Sequence, residues 1–142
     1  MVHQLVLHHL RPGLLSREPV LTRRAVYRFF KDLDDDGPAC VLEWWADRMA
    51  TRGTKSRTDQ IDQQRAFMES LLMPYFFQAE EVVKPPRLVD GRQLMSTFGL
   101  SPGPLVGELL AAIEEAQAEG RVQSAEQALA LARRTLGAGS GP

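Results

Sequence analysis

The chain of 142 residues has one cysteine, Cys40, so no internal disulfide can form, which fits a reducing cytoplasm. It also lacks a long hydrophobic run. Each apolar stretch is broken within a few residues by His, Arg or Glu, far short of the ~20 apolar residues a spanning helix needs, which argues against a membrane role. The start, MVHQLVLHHLRPG, has no basic segment ahead of an apolar one and no small-residue cleavage site, so no secretory signal is read there. Neither sign of charge dominates: Lys and Arg number 17 against 18 Asp and Glu, and any nucleic-acid binding has to come from local basic clusters. No catalytic constellation stands out either. There is no Cys/His pair with a third orienting group, no Gly-Lys-Ser phosphate loop and no acid pair in an evident pocket; Glu43 and Asp47, four apart, read as a solvated helix face.

What is present is ordinary globular material, 44% apolar and 25% charged. The pattern punctuates itself as helices, with no convincing strand and no internal repeat, and predicts an all-α bundle of about six to seven helices in two lobes. Thr22 is placed to cap a helix with apolar stripe Ala25, Val26, Phe29, Phe30 and Leu33. The next helix starts at Pro38, carries Val41, Trp44, Trp45 and Met49, and stops at Arg52-Gly53. A long helix from about Thr58 has the stripe Ile61, Met68, Leu71, Leu72, Tyr75 and Phe76, and Pro74 should kink or divide it. KPPRLVDGR, Lys84 to Arg92, reads as a stiff linker and the lobe boundary. Beyond it, Asp90 opens a short helix closed at Gly99, Pro104 starts an amphipathic helix ended by Gly120, and Ser124 with Gln127 forms a capping box for a helix to Leu136. The organisation expected is residues 1–83, residues 84–136 and a flexible tail, 137–142.

The segment DLDDDGPACVLE, Asp32 to Glu43, has the spacing of a twelve-residue calcium loop. Against that, Pro38 at position seven crowds the turn that Gly37 would have to make, position eight is only Ala39, and no second acidic loop exists. The reading preferred is that Asp36 caps a helix whose first turn contains Pro38.

Two features have a rationale for binding RNA. Arg24, Arg28 and Lys31, at i, i+4 and i+7, share a helix face with Arg23 and Tyr27 beside them, offering charge for phosphates and a ring for stacking; Arg48, Arg52, Lys55 and Arg57 extend the basic set. A plain solvated face balanced by Asp32, Asp34, Asp35 and Asp36 is the competing explanation. The second feature is the turn Gly99–Gly107, where Gly103 and Gly107 would let a phosphate approach free amides at a helix start. Its competing explanation is an interhelical turn in which Gly107 permits close packing.

Three phrases, His8-His9-Leu10-Arg11-Pro12, Thr22 to Phe30 and Ala46 to Gly53, resemble the later half of the HD domain of bacterial tRNA nucleotidyltransferases and poly(A) polymerases. Pro85-Pro86, Leu88 to Gly91, Leu94-Met95, Gly99-Leu100, Pro102 to Pro104, Val106-Gly107 and Glu115 to Gln117 resemble that family's C-terminal RNA-binding segment. The resemblance implies a portion that grips tRNA, with nucleotide addition carried out in a catalytic head, using magnesium and nucleoside triphosphates, that nothing in this sequence matches. It implies no cofactor for this chain, no DNA and no membrane, and it allows a separately encoded head as a partner. It further makes His9 and Asp47 the remnant of a metal site whose other ligands are missing. The alternatives are a degenerate HD phosphohydrolase assembled by dimerisation and a helical protein-interaction module.

Overall fold

The structure is a computed structural model that describes residues 7–51 and 58–138. Among these residues it is all-α: seven α-helices, one 3-10 turn and one π turn, with no strand. No described helix is long and apolar enough to cross a membrane. The chain divides into two compact units, Met1–Val83 and Lys84–Pro142.

In the first unit, α1 spans Arg11–Leu15, α2 Arg23–Leu33, α3 Gly37–Ala50 and α4 Thr58–Phe77; a 3-10 turn, Asp34–Asp36, joins α2 to α3, and a π turn, Ala79–Val83, follows α4. The start of α2 is set by Thr22, whose hydroxyl accepts from the Ala25 amide at 3.2 Å. Its apolar stripe then enters the core: Val26, Phe29, Phe30 and Leu33 gather with Cys40, Val41, Leu71, Val82 and Val83. Phe30 meets Phe29 edge to face at 5.1 Å and the Tyr75 ring at 5.0 Å, and Trp44 meets Phe67 at 5.4 Å.

Several local expectations are corrected here. Helix α4 runs unbroken through Pro74, which lies one turn from the helix end, so the backbone bond it forfeits is among the last. Phe76, assigned by periodicity to the buried stripe, is 61% exposed. Helix α3 begins at Gly37, and Asp36, although in the N-cap position, makes no side-chain cap bond, because its backbone is already helical at φ −80, ψ −11 and does not turn the carboxylate back toward the amides.

The calcium-like segment has a different geometry from a calcium loop. Gly37 is helical (φ −56, ψ −51), and Asp34 carries the positive φ, +47 with ψ −128. Glycine is needed at 37 for space: an added Cβ would stand 2.5 Å from Cδ1 of Phe30, a ring with 1% exposure and nowhere to move. Asp32 pairs with Arg11 at 2.8 Å, and Asp35 accepts from the Tyr75 hydroxyl at 3.3 Å. These acids are tied to separate partners instead of converging.

In the second unit, α5 spans Gly91–Phe98, α6 Pro104–Ala118 and α7 Ala125–Ala138. The caps are where the residue types demand them. Asp90 accepts from the Gln93 amide at 2.8 Å, and Gly99 ends α5 in the left-handed region at φ 65 while the Leu100 amide reaches the Met95 carbonyl at 3.0 Å. Ser124 accepts from the Gln127 amide at 3.3 Å, whereas Gln127 returns its bond one residue early, to the Gln123 amide at 2.7 Å. Leu94, Leu109, Ile113, Ala116, Ala128 and Ala132 form the core with Val89, Val106 and Val122. The buried Gln117 donates to the Pro86 carbonyl at 2.8 Å, tying the proline pair to α6. Helix α7 extends to Ala138, so Gly137 and Ala138, assigned by the sequence to the tail, are helical; residues 139–142 lie outside the described residues.

Gly37→Ala is expected to lower the unfolding free energy by about 1–3 kcal/mol, reversing the usual gain of replacing a helical glycine, because overpacking against Phe30 outweighs propensity. Asp34→Gly is expected to raise it by about 1 kcal/mol by relieving the positive φ. Urea midpoints measure both, and a Gly37→Ala protein as stable as the parent would refute the packing account.

Candidate nucleic-acid interface

Because Val26, Phe29, Phe30 and Leu33 turn inward, the opposite side of α2 faces solvent. Arg23, Arg24, Arg28 and Lys31 are all exposed there. Arg23 rests its guanidinium on the π turn, donating to the Glu81 carbonyl at 3.3 Å. Lys31 donates to the Tyr27 hydroxyl at 3.0 Å and lies 5.1 Å over that ring. Tyr27 itself is 3% exposed, so the ring expected to stack on RNA is part of the wall beneath the cations and is not offered to a base.

The structure separates Arg48 from this row. Arg48 is half-buried on α3, its guanidinium 5.9 Å over the Trp44 ring, and it lines an open groove of about 700 Å³ together with His9, Arg17, Glu43, Trp44 and Asp47. Arg52, Lys55 and Arg57 lie outside the described residues. The groove brings His9 and Asp47 together as sequence spacing could not show. Even so, among the described residues no group of three or more His, Cys, Asp or Glu is placed to hold a metal ion, and two such residues do not fit the three or more protein ligands a catalytic metal needs. Arg17 and Trp44 join the groove through tertiary packing, which residue spacing does not show.

At the start of α6, Gly103 is exposed and extended (φ 172, ψ 179), and no side chain caps the helix. Gly107 is exposed too, and an added Cβ there would meet nothing within 4 Å. The close-packing explanation for Gly107 is thereby corrected, since the position faces open space. The surface around 103 and 107 is accessible, with Leu105 44% exposed between them.

Comparison with known proteins adds the decisive observation: residues 53–132, from the segment before α4 into α7, match the family model for tRNA nucleotidyltransferase domain 2. The chain belongs to the tRNA nucleotidyltransferase family. It is 39% identical over 113 residues to the CC-adding tRNA nucleotidyltransferase of Thermus thermophilus, covering 77% of this chain and 23% of that protein. It is 38% identical over 120 residues to the A-adding enzyme of Deinococcus radiodurans, covering 84% and 26%, and 32% identical over 68 residues to the CC-adding enzyme of Synechocystis, covering 48% and 16%. The chain thus spans about a quarter of the length of the first two curated relatives. No solved structure matches it.

Behind the groove, this tRNA nucleotidyltransferase family member buries its cysteine completely. The Cys40 thiol donates to the His8 carbonyl at 3.5 Å, and burial, reinforced by Glu43 and partly offset by Arg11, raises its pKa to about 11. The folded value lies above the unfolded one. The contribution is therefore fully present below about pH 9 and is lost as pH rises toward about 11, by at most about 2–3 kcal/mol. The expected result is negligible labelling of native Cys40 by a thiol reagent at pH 8, full labelling in denaturant, and a falling urea midpoint above pH 9 that is flattened in Cys40→Ala.

Proposed function

We propose that this chain is the tRNA-gripping C-terminal portion of a tRNA nucleotidyltransferase, the back of an HD-like helical domain followed by an RNA-binding segment. Its relatives' nucleotide addition, with the magnesium and nucleoside triphosphates it requires, belongs to a catalytic part outside this chain, carried in the same or a separate polypeptide in the cytoplasm. The observation that carries the reading is the family match coupled to an exposed row of cations on α2, Arg24, Arg28 and Lys31, with Arg23 at its start. Phosphates are the natural ligand for such a row, because guanidinium groups supply charge together with directed donors. The accessible, uncapped start of α6 at Gly103 and Gly107 offers a second backbone contact of the same chemistry.

Binding of unmodified tRNA should weaken steeply with salt, as counterion release requires. Arg24→Glu with Arg28→Glu is expected to lower affinity at least about tenfold at low salt and to reduce the magnitude of the log–log salt slope by about 2. A fluorescence-anisotropy titration between low and moderate salt measures this. No binding at low salt, or binding indifferent to the double substitution, would sink the proposal.

A further inference from the structure

The groove between α1 and α3 has no part in the RNA-binding reading, and its lining is ordered from one end to the other. Three pairings fix that order. The Cys40 thiol donates to the His8 carbonyl at 3.5 Å; about one turn further along both segments, an added Cβ on Gly13 would stand 3.1 Å from Nε1 of Trp44. About one turn further again, Arg17 and Arg48 both line the groove. The two segments therefore run in the same direction. Glu43 lies toward the end where the chain enters at His9, Arg17 and Arg48 lie at the other, and Leu10, Leu14 and the Trp44 indole stand between them.

The polar groups of this lining are not engaged with one another. Among the described residues, no hydrogen bond or ion pair joins the side chain of Arg17, Glu43, Asp47 or Arg48 to a partner. Trp44 is 7% exposed, yet no described residue accepts from its Nε1, and that donor is not sealed from solvent. Polar groups at such depth are ordinarily paired, so the groove presents a donor that an occupant can satisfy. The lining's carboxylates and guanidinium groups balance at two of each sign, which disfavours a phosphate chain and suits a ligand with both an ammonium and a carboxylate. Glu43 and Arg48 are separated by about 7.5 Å of helical rise, more than the two charges of a free amino acid span, and the α3 wall from Glu43 to Thr51 is about 12 Å long. Three extended residues of a peptide cover about 10 Å. We propose that the groove binds short peptides with free termini and apolar side chains. Their ammonium meets Glu43, their carboxylate meets Arg17 and Arg48, a backbone carbonyl accepts from Trp44 Nε1, and their side chains rest on Leu10 and Leu14.

The test titrates trileucine into the isotope-labelled full chain and follows the indole N–H signal of Trp44 by proton–nitrogen correlation NMR, with Trp45→Phe to tell the two tryptophans apart. The expected result is a saturable movement of the Trp44 signal. Acetylating the peptide's amino terminus or amidating its carboxyl terminus should each weaken binding at least about tenfold, as the loss of a charge-assisted contact does. Arg17→Gln with Arg48→Gln should abolish the preference for the acid over the amide, and Glu43→Gln the preference for the free over the acetylated amine. Arg17→Gln alone, at an exposed position, should reduce the first preference and serves if the pair fails to fold. A Trp44 signal that stays still, that moves equally with the doubly capped peptide or with inorganic phosphate alone, or preferences that survive the substitutions would overturn the proposal.

Discussion

The burial of Phe29 and Phe30 is the constraint from which the first unit's surface follows. The two rings are 0% and 1% exposed, and burial of side chains of this size stabilises the fold by about 1.5–3 kcal/mol each. No exposed ion pair competes with that, so the aromatic pair decides how α2 is rotated about its axis. Once 26, 29, 30 and 33 face the core, the helical period leaves 24, 28 and 31 to solvent. The row of cations is thus held in place by apolar packing on the far side of the same helix. Gly37 belongs to this arrangement, because only a residue without Cβ lets the start of α3 lie against the Phe30 ring.

Features encoded over three or four residues were legible in the sequence. The caps at Thr22, Asp90 and Ser124, the left-handed stop at Gly99 and the stripes of α2 and α6 each depend on local geometry that residue type dictates. The misread positions are those where burial or one particular side-chain contact overrides what periodicity and charge suggest. Tyr27 is drawn inward because Lys31 can satisfy its hydroxyl while the ring is covered. Phe76 has the period of the α4 stripe, but Tyr75 beside it takes the place against Phe30 and Phe76 is left 61% exposed. Arg48 has the charge of an RNA contact, yet Trp44 one turn earlier holds it in the groove. Of the candidate site, the solvent exposure of the α2 row follows from its periodicity, whereas the grouping of His9, Asp47 and Arg48 was not readable, since it depends on tertiary packing.

The acidic segment shows how one string of residues can satisfy a motif and have another structure. A calcium loop needs its oxygens to converge on a point and its central glycine to turn left-handed. Here Asp32 and Asp35 are directed to Arg11 and Tyr75, and the glycine is already the first residue of a helix. Position six is glycine for reasons of volume, and spacing alone cannot distinguish volume from conformation.

Two surfaces of the first unit, the cation row of α2 and the exposed Leu10 and Leu14, obey different physics. Contacts through exposed cations are screened over about 8 Å at physiological ionic strength and reverse readily. Burial of leucines is insensitive to salt and grows with the area covered. A protein with a net charge of −1 has no global field with which to hold a polyanion, so any such contact has to be local. The two surfaces can therefore be occupied independently, because they share neither residues nor the term of the free energy that would drive contact with them.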